Sequence, residues 1–115
     1  MHAERWEEAI DAYKQADEID PSSIPVAYNI GVCLNTVGLA AREAVTERRK
    51  KKEDVSDNEY MKYFAEARTY LERVRAKDPR RNRVDWVGPL YLDYTILNDK
   101  IKAEELEPLV TNFKK

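Results

Sequence analysis

Cysteine, histidine and glycine are nearly missing from the 115 residues: one Cys, one His and three Gly. A lone Cys33 cannot close an intrachain disulfide, and a lone terminal His2 assembles neither a metal site nor a catalytic dyad. So few glycines leave no Gly-rich phosphate loop, and no Ser/His/Asp set or Cys-rich ligand spacing is present. The chain therefore reads as a non-enzyme with no cofactor and no metal. No uninterrupted run of 18 apolar residues occurs, so no segment is expected to span a membrane. Met1 to Trp6 lacks the charged-then-apolar pattern of a signal segment. The expectation is a soluble chain whose compartment the sequence leaves open. The net charge of −2 gives no global attraction to nucleic acid or an anionic membrane.

What is abundant is charge, at 37% of residues, and β-branched runs are absent, which together favour helix. A chain of this length forms one domain at most and buries roughly two-thirds of its unfolded surface. Apolar residues at i, i+3, i+4 and i+7 spacing predict a first helix over 3–19, with Trp6, Ala9, Ile10, Tyr13 and Ala16 inward. Glu7, Glu8, Asp11, Lys14 and Glu18 form its wet face, and Asp20-Pro21 ends it because Pro cannot continue the hydrogen-bond ladder.

Ser22-Ser23 supplies a cap, and Pro25 is tolerated in the first turn that follows. A stripe from Val26 or Ala27 through Ile30, Cys33 or Leu34, Val37, Ala41, Ala44 and Val45 then predicts one long helix over 23–51. At 1.5 Å per residue it is roughly 43 Å long, with its last two turns in solvent. Ser56-x-x-Glu59 has the form of a capping box for a third helix, 57–77, with Tyr60, Met61, Phe64, Ala67, Leu71 and Val74 inward. A fourth helix is expected over 84–97, distorted at Gly88-Pro89. Asn98-Asp99 makes a turn. A short fifth helix, 101–110, turns Ala103 and Leu106 inward, and Pro108 makes its end irregular.

An internal repeat links the first and third helices. Trp6, Glu8, Ala9, Tyr13, Ala16, Asp20 and Pro21 correspond to Phe64, Glu66, Ala67, Leu71, Val74, Asp78 and Pro79 at a constant offset of 58 residues. Ala9, Tyr13, Ala16 and Pro21, then Ile30, Gly31 and Leu34, then Ala67, Leu71 and Pro79 resemble the pattern of the tetratricopeptide repeat. That repeat is about 34 residues long, so about 24 more must lie after Gly38, as an elongation of two antiparallel helices. Together with Trp86-x-x-Pro-Leu-Tyr and Asn98-Asp-Lys, the lengthened unit resembles bacterial tetratricopeptide proteins of an elongated type. The resemblance implies an all-α, right-handed superhelical array of antiparallel helix pairs with one lengthened hairpin. It also implies membership of a longer array and, as one setting, an exported or periplasmic precursor.

The same resemblance implies a protein or peptide partner held on the concave, first-helix face, at Pro25, Tyr28, Asn29, Val32, Asn35 and Thr36. Tyr would supply apolar area there, and the amides would pair an extended backbone. The competing reading is a plain solvated helix face. The family's carboxylate clamp is not completed: Asn29 fits, but the required Lys is missing, and the later helix offers Arg83 with Val87 or Asp85 with Pro89.

Arg48, Arg49, Lys50, Lys51 and Lys52 form a candidate electrostatic patch for phosphates or an acidic partner. Glu43, Glu47, Glu53 and Asp54 bracket them and no aromatic lies among them, so a solvated helix end is the stronger reading. Cys33 reads as a buried small hydrophobe, and Trp86, Tyr91 and Tyr94 as core rather than a ligand cage. The sequence thus points to a non-enzymatic interaction scaffold with an unidentified protein or peptide partner. The alternative is a structural module, a homo-oligomer formed through Trp6 and Tyr13 on the unpaired flank of the first helix.

Overall fold

The computed structural model describes residues 3–113, with side chains described over 5–110. His2 lies outside the described residues. Five α-helices follow in order, α1 (Ala3–Ile19), α2 (Ile24–Lys50), α3 (Asn58–Lys77), α4 (Val87–Ile96) and α5 (Lys100–Phe113), and among the described residues there is no strand.

The two Asp-Pro steps end their helices alike. Asp20 N–H donates to Ala16 O and Asp78 N–H to Val74 O, at 3.0 and 2.8 Å, closing the last turn of α1 and of α3. The Asp20 carboxylate then accepts from the backbone N–H and hydroxyl of Ser22. Ser23 caps α2 by accepting from Val26 N–H at 3.4 Å, and Pro25 sits in that first turn, where its missing donor costs nothing.

Helix α2 ends in a Schellman turn. Lys52 is left-handed (φ 63°), its N–H donates to Arg49 O and that of Glu53 to Arg48 O. Helix α4 ends in the same way with Asn98 (φ 63°), where Asn98 and Asp99 donate to Thr95 O and Tyr94 O. Asp99 then caps α5 by accepting from Lys102 N–H at 3.3 Å.

Three local expectations are corrected. The fourth helix starts at Val87, not Val84, because the Asp78 carboxylate takes the N–H groups of Asn82, Arg83 and Val84 at 2.9, 2.8 and 3.1 Å and holds that segment in a turn. Gly88 and Pro89 therefore fall within the first turn of α4 instead of kinking a longer helix. The capping box at Ser56 does not form: Ser56 Oγ accepts from Asn58 N–H, and Asp57, the N-cap residue, places its carboxylate 2.6 Å from Arg49. Helix α5 runs on through Pro108 to Phe113, although Pro108 offers no N–H to the turn before it.

Helix α2 is central and packs on α1, α3 and α4. Its glycines set the approach to α3: a Cβ on Gly31 would lie 2.6 Å from Leu71 Cγ, and one on Gly38 2.8 Å from Phe64 Cε2. The ladder Gly31–Leu71, Gly38–Phe64 runs in opposite senses along the two helices, so the pair is antiparallel. Between α1 and α3 the links are Lys14–Glu66 at 2.6 Å, Asp17–Arg73 at 2.6 Å and Lys77 Nζ to Pro21 O at 2.9 Å. Their numbers rise together, so α1 and α3 are parallel. Glu72–Lys102 and Arg75–Glu105, at 3.3 and 3.9 Å, make α5 parallel to α3 in the same way.

Two apolar clusters result. The larger joins Ile10, Ile30, Leu34, Leu71, Val74, Trp86, Leu90, Tyr94 and Leu106 across all five helices. Each such side chain, fully buried, stabilises by about 1.5–3 kcal/mol. A smaller cluster of Val45, Tyr60 and Phe64 supports the extended end of the α2–α3 hairpin, with Val55 and Met61 from that end, Leu92 and Ile96 from α4, and Leu97 just after it against the cluster. Ala44, expected on the buried stripe, is exposed, because α3 covers Val45 and leaves its neighbour free. Helix α2 is also long and apolar enough, by length and composition alone, to cross a membrane. Asn29, Asn35 and Thr36 interrupt that stretch, and its apolar side chains pack on α1, α3 and α4.

Candidate partner-binding groove

Helices α2 and α4 meet along a shallow groove of about 260 Å³ lined by Val32, Asn35, Thr36 and Leu39 on one side and Gly88, Pro89 and Leu92 on the other. Gly31 and Gly38 draw α2 onto α3, and the Asp78-bound turn fixes where α4 begins. One direct polar contact ties the two walls: Asn35 Nδ2 donates to Pro89 O at 3.3 Å. The rest of the lining is mainly apolar, and Leu39 is 42% exposed.

Of the residues expected to face a partner, Val32 and Thr36 line this groove and are half-buried. The Thr36 hydroxyl donates to Val32 O at 3.0 Å, which leaves its lone pairs as the groove's side-chain acceptor on that wall. Tyr28 and Asn29 are half-buried one to two turns earlier on α2 and do not line it. Burial first, and then the Asp85 carboxylate, push the Tyr28 phenol above its ordinary value. Pro25 is exposed near the start of the helix.

Asn35 is 5% exposed and directs its amide nitrogen to Pro89 O, so it forms the floor of the groove. Its position was legible in part: Gly31, Asn35 and Gly38 share one face at i, i+4 and i+7, and that face meets α3. Leu39, Pro89 and Leu92 were not anticipated as lining. Leu39 follows Val32 and Thr36 at helical spacing, while the opposing wall depends on where α4 starts.

The basic run is mostly engaged within its own hairpin. Arg48 contacts Glu53 at 3.5 Å, Arg49 contacts Asp57 at 2.6 Å and Val55 O at 3.2 Å, and Lys50 contacts Glu47 at 3.1 Å. These side chains close the α2–α3 connection, while Lys51 and Lys52 are exposed beside them. Trp6 and Tyr13 are half-buried and packed against the main core. Trp86 is buried, donating its indole N–H to Asp78 O at 2.6 Å beneath the Arg75 guanidinium. Tyr94 is buried with its hydroxyl donated to Glu72 at 2.5 Å; burial, then that bond, raise its pKa. Tyr91 is half-buried beside them. Cys33 is buried, and burial pushes its thiol up, away from the reactive thiolate.

Among the described residues no group of three or more His, Cys, Asp or Glu side chains is placed to hold a metal. Compared with known protein families, with curated proteins and with solved structures, the chain matches none.

Proposed function

We propose that this chain is a non-enzymatic interaction scaffold, a tetratricopeptide-like superhelical array with one lengthened hairpin, that binds a protein segment along the α2–α4 groove. The observation that carries the reading is the groove itself: a mainly apolar channel between α2 and α4, with Leu39 half in solvent and Thr36 as a polar point at its edge. The alternation of antiparallel neighbours, with α1, α3 and α5 parallel, supports the array. Such an arrangement presents a preformed surface, and a bound segment would gain apolar burial at Val32, Leu39 and Leu92 with little reorganisation of the host.

Selection from a displayed library of random peptides tests this. Peptides retained by the wild-type chain should share apolar residues and should lose binding to Leu39→Glu, while Lys62→Glu on the exposed surface of α3 leaves binding intact. Selected peptides that bind Leu39→Glu and the parent equally would overturn the groove as the binding surface.

A further inference from the structure

Asp93 is the least expected residue of the core. It is fully buried on α4, on the same stripe as Trp86 and Leu90, and neither carboxyl oxygen has a hydrogen-bond partner. The adjoining α2 side chain is Asn35, whose own carbonyl oxygen is buried and equally unpaired while its amide nitrogen donates to Pro89 O. Three oxygens without a well-formed hydrogen bond in an apolar seam are costly, and the Asn35 amide is the neighbouring side chain near enough to act on the Asp93 carboxyl. One proton on Asp93 changes the arithmetic. A carboxylic acid and a primary amide can pair edge to edge, the acid O–H donating to the amide oxygen and the amide N–H to the acid carbonyl.

The charged groups around the site agree with a neutral acid. From α2 comes the uncharged Asn35; from α3 come Arg68, which does not reach hydrogen-bonding distance, and Glu72, which is committed to Tyr94 and Lys102. Burial raises the Asp93 carboxyl to about 8, against the opposing pull of the Asn35 amide and the Arg68 guanidinium, with Glu72 adding to the rise. We propose that Asp93 carries its proton in the folded chain and pairs with Asn35, so that a single proton fastens α4 to α2, and that losing it frees the α4–α5 hairpin from the rest of the fold. The inference holds whether or not the groove above has a ligand.

The sign follows from linkage. A carboxyl that binds its proton more tightly folded than unfolded stabilises most below about pH 4, and that stabilisation is lost progressively as pH rises to about 8. The unfolding constant should therefore grow by up to about tenfold per pH unit through the middle of that window and level off as pH passes about 8. Carbon-13 NMR of the chain labelled at aspartate Cγ provides the direct test. The Asp93 signal should titrate near pH 8, and hydrogen-exchange protection in α4 and α5 should fall as pH rises toward that midpoint and level off above it, while α2 and α3 keep theirs. Asp93→Asn, which keeps a partner for Asn35 but cannot ionise, should hold α4 and α5 protection constant over the same range. An Asp93 carboxyl ionised throughout pH 5–9, as an Arg68 ion pair would make it, overturns the proposal. So does titration near 8 with no change in α4–α5 protection.

Discussion

Gly31 faces Leu71 across the α2–α3 crossing so closely that a methyl group on the glycine would sit 2.6 Å from Leu71 Cγ and 2.9 Å from Cδ2. Leu71 is fully buried, with Val74 and Ile30 among the core residues around it, so it has no open space to enter. Glycine inside a helix costs up to about 1 kcal/mol relative to alanine. Close approach to Leu71 is what offsets that cost.

Gly31→Leu should accordingly destabilise by about 3 kcal/mol or more, and Gly31→Ala by about 1–2 kcal/mol despite its better helix propensity. Urea unfolding measures both. Leu71→Ala alone should cost about 2–5 kcal/mol, and the double variant about 1 kcal/mol less than the sum of the singles, because each change relieves the other. Strict additivity would mean that Gly31 does not meet Leu71.

This crossing was legible in the sequence because small and large residues alternate at helical spacing in both partners. The five helices and their order were legible for the same reason: 3.6-residue periodicity and Asp-Pro stops are local signals. The start of α4 was not, since Asp78 captures N–H groups four to six residues ahead, and nothing in residues 82–86 announces it. Asp17 was also missed. It is an acid beside the inward face of an amphipathic helix, and it is buried by pairing with Arg73, 56 residues away. Asn35 and Asp93 lie on the buried stripes of their helices by spacing, but the family resemblance assigns Asn35 to the groove, and a lone acid on α4 carries no local signal that it is buried.

The Schellman turn after α2 places a lysine where glycine is favoured. Lys52 is left-handed at φ 63°, and its side chain enters none of the ion pairs that close the hairpin. Lys52→Gly should raise stability by up to about 1 kcal/mol, since relief of the strained conformation outweighs the added freedom of the unfolded chain. Asn98→Gly, at the equivalent position after α4, should change stability less, because asparagine tolerates this conformation. Thermal melting of the two variants side by side checks the ranking; a larger gain at Asn98 would contradict it.

Asp78 should make the α3–α4 turn sensitive to acid. Its burial works against ionisation, and the N–H groups of Arg83, Val84 and Asn82 outweigh that effect and hold its carboxyl below the ordinary value. A group depressed in the folded state stabilises above its unfolded pKa and loses that contribution as pH falls through the folded value. Urea midpoints should thus fall more steeply below pH 4 for the parent than for Asp78→Asn, which should be less stable at neutral pH. Parallel pH profiles would show that the three backbone bonds do not depend on the charge.

The length of the α2–α3 hairpin can be probed by limited proteolysis. Helix α2 is continuous to Lys50, and Val45 is buried against Tyr60 and Phe64, so the backbone from Ala40 to Glu47 is held in the helix ladder and by the smaller core. Residues 51–57 have no such ladder and are mostly exposed. Trypsin should cut first after Lys51 or Lys52, at a rate well above that at Arg42, whose backbone must unfold locally before it can enter a protease. Cleavage at the connection should leave α2 and α3 associated, because Gly31, Gly38, Leu71 and Phe64 lie away from the cut. The nicked chain should keep its helical circular dichroism and elute as one species until denatured. Early cleavage at Arg42, or separation of the two fragments under native conditions, would show that the extended end of the hairpin is not an ordered part of the fold.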